Sequence, residues 1–475
     1  MSQSAVAGEM APPRGRRVLP RSVSFVVVAV VFVALSAAAA APSPLLVVYQ
    51  AEWGFPAWLL TLAFAIYTIA LLLTLLVSGS LSDHIGRRPV MTAGLVLQLI
   101  AMTMFLFAPS IAIVIAARTV QGAAAGIASG AFAASLTDLA PSGNKRIGTT
   151  IGSLAPLGGL AVGAIVTGAL IQLSRHASTE IFIAFDILFL LGLLAVTLIR
   201  DPVSRRPGAL RSLMPRAAVP AAARREFAAA APVLIGAWAI AGFYLGLSAE
   251  VLQDIFKIDS GLTDGAAVTI ATGAGALTVY ASKRVAPRVT AITGTAALTL
   301  GMLATLIAVA AHNLPLFIIG DAVGGTGVGA GFAAAMALVI PHARAHERGE
   351  VFASIYIVSY LSLGLPALIA GLLVTPLGLL PVTIGYAIFA VAAAAAGLGT
   401  HLVRRVGDRR SEPAGSRALA PRPAALRDRN AEGGPSDSGV GRPAPGRHAR
   451  AAGPGGHHTV QQATVTEPLA RPAGP

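Results

Sequence analysis

Four ionisable side chains stand alone inside long stretches that otherwise carry no charge: Arg118, Asp186, Glu250 and Asp321. A carboxyl group in apolar surroundings can take up and release a proton. A guanidinium there must find acceptors or an anion, because an unpaired charge in such a medium is costly. Between the stretches the chemistry differs. "GSLSDHIGRRP", residues 79–89, sets Asp83, His84, Arg87 and Arg88 around Gly79 and Gly86. Asp83 and Arg87 are four residues apart, a spacing at which opposite charges pair. With no cysteine in the chain, thiol catalysis, disulfides and Cys-ligated zinc are excluded. His342 and His346 have helical spacing but lack the H-E-x-x-H context, so no metal is expected. "GGTGVGAG", 324–331, fails the dinucleotide fingerprint and no P-loop occurs, so neither a nucleotide cofactor nor ATP is expected. No cluster of catalytic groups or sensor domain points to an enzyme or a receptor.

The elements that hold these residues follow from composition. Hydrophobic residues are 55% of the chain, charged residues 12%, and the mean hydropathy is +0.74. A soluble surface needs about a quarter charged residues, so the solvent for most of this chain is a lipid bilayer. The net charge of +14 does not point to nucleic acid, because the charges fall in short bursts between apolar runs. A span needs about 20 apolar residues to cross ~30 Å of hydrocarbon. Twelve segments qualify: 23–47, 57–79, 90–108, 110–137, 147–171, 181–199, 231–252, 265–281, 289–311, 314–340, 351–373 and 379–401. The alternative is eleven, because "RGRR" before an apolar run and "SAAAAAPSP" also resembles a secretory signal. The run is long for a signal, and twelve spans leave the halves equal.

With the N-terminus inside, inner segments before the tail carry twenty Lys and Arg, against Arg175 and Lys257 outside. That asymmetry places both termini in the cytoplasm. The chain divides into an N-terminal segment (1–22), a six-helix bundle (23–199), an Arg-, Pro- and Ala-rich cytoplasmic loop (200–230), a second six-helix bundle (231–401) and a tail (402–475). The tail has no Phe, Trp, Tyr, Ile or Met and is expected to be disordered. The halves repeat. "RTVQGAAAG", 118–126, aligns with "DAVGGTGVG", 321–329, and "SDHIGRR", 82–88, occupies the place of "SKRVAPR", 282–288. Repeated six-span halves characterise secondary transporters. The expected fold is an all-α membrane protein of twelve transmembrane helices, in two six-helix halves related by a pseudo-two-fold axis.

"GSLSDHIGRRPVM", 79–91, resembles the loop signature of the major facilitator superfamily, G-x-L-a-D-r-x-G-R-K/R. Gly79, Leu81, Asp83, Gly86, Arg87 and Arg88 match, and His84 replaces a usual Arg. The resemblance implies a cytoplasmic latch between the halves, with Asp138 at the end of the fourth span as its third member. Topology-setting charge alone would account for Arg87 and Arg88, but not for Asp83 or the glycines. "RTVQG", 118–122, is similar to the family's fourth-span motif, which implies a proton-coupling role for Arg118 beside Gln121. Gly122, Gly126 and Gly130 form a stripe expected to pack helices. "GSLAPLGG", 152–159, resembles the fifth-span motif of the antiporters through Pro156, Gly158 and Gly159. It departs from that motif at Ala155 and in having one residue rather than two before the Gly pair.

The resemblance also implies that the fourth and tenth spans line a central cavity, with Arg118 and Asp321 facing across it. Asp186, on a peripheral span, and Glu250, near an outer end, are secondary candidates. The implied activity is alternating-access transport of a small organic molecule, with proton-driven export of a drug or secondary metabolite leading. A facilitator or importer of a metabolite is the alternative, and the first span lacks the acid that many of the family's drug exporters carry there. The implied setting is the inner membrane, as a monomer, with a small molecule and H+ as partners.

Overall fold

Backbone inside hydrocarbon must satisfy its own hydrogen bonds, so an apolar segment of spanning length folds as a helix. The computed structural model describes residues 18–201, 203, 207–209, 213–214, 217–344 and 347–400 in full, and the backbone of 401–411. Among the described residues twelve helices are long and apolar enough to cross a membrane. The first six are α1 (Arg21–Trp53), α2 (Ala57–Ser78), α3 (Arg87–Leu106), α4 (Ile111–Leu139), α5 (Lys145–Leu173) and α6 (Ala177–Thr197). The second six are α7 (Ala221–Gly246), α8 (Gly261–Ser282), α9 (Pro287–Ala311), α10 (Leu314–His342), α11 (Arg348–Leu377) and α12 (Leu379–Thr400). The side carrying the loops after α2, α4 and α8, with Arg87, Lys145 and Lys283, is here the basic side; the opposite side is the far side.

Each half builds its own core. In the first, Phe32 stacks on Phe132 at 5.8 Å and Phe105 on Phe182 at 5.0 Å. In the second, Phe243, Tyr244, Phe317 and Tyr386 interlock through tilted and edge-on contacts. Large aliphatic side chains such as Leu191, Leu277 and Leu300 point outward, as they must when the surroundings are lipid.

The repeat survives in which helices pack together. Gly122 and Gly126 on α4 leave no room for a Cβ against Tyr67, Leu71 and Thr74 of α2. Gly325 and Gly329 on α10 do the same against Ala271 and Gly275 of α8. By the offset of Ser82 to Ser282, Ala271 and Gly275 correspond to residues 71 and 75, so the second glycine pair packs on the equivalent helix about one turn further along. Gly130, the third of the α4 stripe, approaches nothing.

Three elements differ from the sequence expectation. Helix α1 does not end near residue 47: it is interrupted at Ala41, where Pro42 and Pro44 follow, and resumes to Trp53. Residues 221–230, read as loop because of Arg224, Arg225 and Glu226, form the first turns of α7. Pro220 starts that helix, and the Ala-rich run "AAARREFAAA" is a strong helix former. The last helix runs on to Ser411. The rest of the tail, 412–475, lies outside the described residues, as does His346 of the histidine pair.

Candidate functional site

The loop between α2 and α3 is held by three acids. Arg87 donates through Nη1 to Asp83 and to Ser82 Oγ, and through Nε to Asp138 Oδ2 at 3.3 Å. The sequence did not disclose the third acid. The carboxylate of Asp201, just past α6, accepts from the backbone N–H groups of Arg87 and Arg88, at 3.1 Å each. These amides belong to the first turn of α3 and have no partner inside the helix, so Asp201 caps it and meets the positive end of its dipole. Gly86 permits this twice over. Its φ is +103°, a region open mainly to glycine, and a Cβ there would strike Asp201. Gly79 approaches no other helix; it lines a cavity mouth beside Asp83, whose side chain is 58% exposed. Every described bond of Arg87 and Asp83 stays within the first half.

That mouth belongs to a cavity of about 1570 Å³ between the halves. It reaches the basic-side residues Asp83, His84, Lys283 and Glu350 and runs inward to Ser43 and Phe64. Lys283 donates to Thr150 Oγ1 at 3.0 Å, and partial burial lowers its pKa from the ordinary lysine value. On the far side the halves meet. Gly168 of α5 leaves no room for a Cβ against Gly261 and Gly265 of α8, and Gly371 of α11 leaves none against Thr61 of α2. Thr269 bridges the same seam, donating to the Ala161 carbonyl at 2.9 Å. The molecule is therefore open on the basic side and closed on the far side.

One wall of the cavity is aromatic. Trp238 packs on Phe332 at 5.5 Å and on Tyr360 at 5.2 Å, and Tyr360 stacks on Tyr356 at 5.8 Å. Facing elements supply Tyr67, under the Arg118 guanidinium at 4.5 Å. Pro156 and Leu157 of α5 line the cavity, while Gly159 backs onto α1 at Ser36 and Gly158 touches nothing.

Arg118 and Gln121 are fully engaged. Arg118 donates through Nε to the Ala63 carbonyl at 3.2 Å, and through Nη1 to the Ala39 carbonyl at 2.9 Å and Gln121 Oε1 at 2.8 Å. Gln121 Nε2 donates to the Ala38 carbonyl at 2.7 Å. The reason lies in α1. Pro42 has no N–H, so the Ala38 carbonyl four residues earlier loses its helical donor, and α4 supplies a replacement. Asp321 does not join Arg118. It is buried behind Tyr244, does not line the cavity, and neither carboxyl oxygen has a hydrogen-bond partner. Asp186 accepts from Thr103 at 3.4 Å between α6 and α3. Glu250 lies beyond α7 on the far side, buried, with Oε1 unpartnered.

Two six-helix halves with the same helix pairing, enclosing a cavity open to one side, define a multi-pass membrane transporter. Residues 26–288 match the family model of the Major Facilitator Superfamily, more than half of the chain, and the chain belongs to that family. Among solved structures it is similar to one from work titled "Structural insights into substrate recognition in proton dependent oligopeptide transporters". That likeness has 13% identity and a TM-score of 0.61, covers 81% of this chain and 99% of the other, and is one of fold. No curated protein sequence matches the chain. The protein is a transporter rather than an enzyme.

Proposed function

We propose that this protein is a proton-coupled exporter of small organic molecules, set in the inner membrane with both termini in the cytoplasm. The observation that carries the reading is the cavity of about 1570 Å³, open on the basic side alone. Basic loops remain cytoplasmic, so this conformation is the inward-open one in which an exporter loads. The wall of Trp238, Phe332, Tyr356 and Tyr360 offers apolar and π surface to a substrate with apolar or aromatic parts.

The latch fits the same cycle. In the inward-open state it should be undone, and Asp83 has no described partner in the second half. When the basic side closes, its exposed carboxylate is free to meet that half. Asp83→Asn is expected to reduce transport sharply while the extracted protein loses no more than ~1 kcal/mol of stability, the usual ceiling for an exposed pair. Wild-type transport at equal expression would leave the loop with topology alone. Asp201→Ala should show the opposite balance, costing about 1 kcal/mol through the lost cap.

Two measurements test the reading. A panel of organic substrates is assayed in inverted vesicles with and without an acid-inside gradient. Accumulation that requires the gradient supports export, and accumulation that ignores it makes the protein a facilitator. Orientation is read by cysteine labelling in intact cells, since the chain has no native cysteine. A thiol at Ser142 should resist an impermeant maleimide and one at Asn313 should react; the reverse pattern inverts the topology.

A further inference from the structure

Beneath the far-side seam lies a second cavity of about 10 Å³, room for roughly one water molecule. The first half covers it with Ser43, Leu46, Leu60 and Phe64, and the second half supplies Glu250 and Asp264. Glu250 is 7% exposed and Asp264 2%. Gln253 Nε2 donates to Asp264 Oδ2 at 3.0 Å, but Asp264 Oδ1 and Glu250 Oε1 have no hydrogen-bond partner. Two buried carboxyl groups, each with an orphan oxygen, thus line a hole the size of one small ligand. No basic residue lines it.

We infer that Glu250 and Asp264 form a site for one small monovalent cation, a proton or a sodium ion, whose occupancy lets the far side close. The inference rests on the alternating-access reading above and adds a residue-level device to it. The cover and the carboxyl groups belong to different halves, so opening the far side splits the site and wets both acids. Closing strips that water away. A carboxylate left dry there loses its hydration, and a bound cation offsets that cost. The acids nearby make the empty state worse: Asp254 acts on Glu250 and Asp259 on Asp264. On the elements and loops around the site, the other titratable groups include Tyr49 and Glu52 of α1, Tyr67 of α2, Arg175 and His176 after α5, Tyr244 of α7 and Lys257 before α8, none of which lines it. One contribution opposes neutralisation: Asp264 sits in the first turn of α8, where the helix dipole favours the anion. The sign is fixed. Low pH or high sodium favours a closed far side, and high pH without sodium favours an open one.

The test uses a thiol at Val47, which lines the small cavity from the first half, is absent from the large one, and is buried while the far side is closed. In proteoliposomes, the rate at which Val47→Cys reacts with a maleimide is followed across a pH series in choline and a sodium series at fixed alkaline pH. Rates are normalised to the same thiol in a Glu250→Gln, Asp264→Asn background, which cancels the thiol's own titration. The normalised rate should rise with pH, by up to about tenfold per unit for one linked proton. Suppression by sodium at alkaline pH identifies the ion as sodium; indifference to sodium identifies it as the proton. A normalised rate flat in both series overturns the site. Substrate transport measured in the same vesicles reports separately on the alternating-access reading, which survives if the rate is flat and transport persists.

Discussion

Arg118→Ala is expected to destabilise the first half by several kcal/mol and to abolish transport. The size of the effect follows from what the guanidinium holds. It bonds the Ala39 carbonyl of α1, the Ala63 carbonyl of α2 and the side chain of its own neighbour Gln121, and it covers the Tyr67 ring. Truncation strands Gln121 Oε1 and strips the Ala39 carbonyl of its side-chain donor, at about 1–3 kcal/mol each, while the Ala63 carbonyl keeps its place in the α2 ladder. Pro42 makes the loss worse, because Gln121, which answers the Ala38 carbonyl freed there, is itself braced by Arg118. Arg118→Lys should recover only part of the stability, since an ammonium cannot reproduce the planar fork. The measurement is the melting temperature of detergent-extracted protein beside transport in vesicles. Wild-type melting with transport lost would show that Arg118 acts in coupling and does not brace the three helices.

Asp321→Asn is expected to remove gradient-driven accumulation while sparing exchange of substrate between the two sides. Asp321 is 1% exposed, and both of its oxygens lack hydrogen bonds. A buried ionised carboxylate without donors is among the most costly groups a protein can hold, which favours a protonated Asp321 in this conformation, open on the basic side. Tyr244 stands between it and the cavity, with its hydroxyl 2.7 Å from Thr305 Oγ1. Release would require this packing to part and admit water. Asparagine keeps the volume and removes the proton site. Transport in proteoliposomes across a pH series decides the matter: wild-type proton dependence in Asp321→Asn would pass the role to Asp186 or to Glu250 with Asp264.

The spans were legible because a bilayer imposes a length and a polarity that few other environments impose, and twelve segments met both. The pairing of Asp83 with Arg87 was also legible, being set by four residues of one loop. Asp201 was not, although it is the only acid in residues 200–225. It caps α3 from 113 residues away, and no periodicity encodes such a contact. Pro42 and Pro44 free carbonyls in α1, and nothing in the sequence says which helix answers them. The repeat matched Arg118 to Asp321 in depth but not in direction. α4 turns its arginine toward α1 and α2, and α10 buries its aspartate behind Tyr244, so the two do not pair. Asp264 was missed by one residue: hydropathy began the eighth span at 265, and the helix begins at Gly261.

The far-side seam has a kinetic consequence. Where α5 meets α8, Gly168 lies against Gly261 and Gly265, so main chain rests on main chain there, with the Ile171 side chain seated on Gly261. Such a surface behaves as a bearing rather than a bolt. The helices can roll apart once the Ile171 side chain leaves Gly261 and the Thr269 hydroxyl releases the Ala161 carbonyl. Along the glycines themselves the contact is shallow, so little side-chain rearrangement stands in the way of the motion.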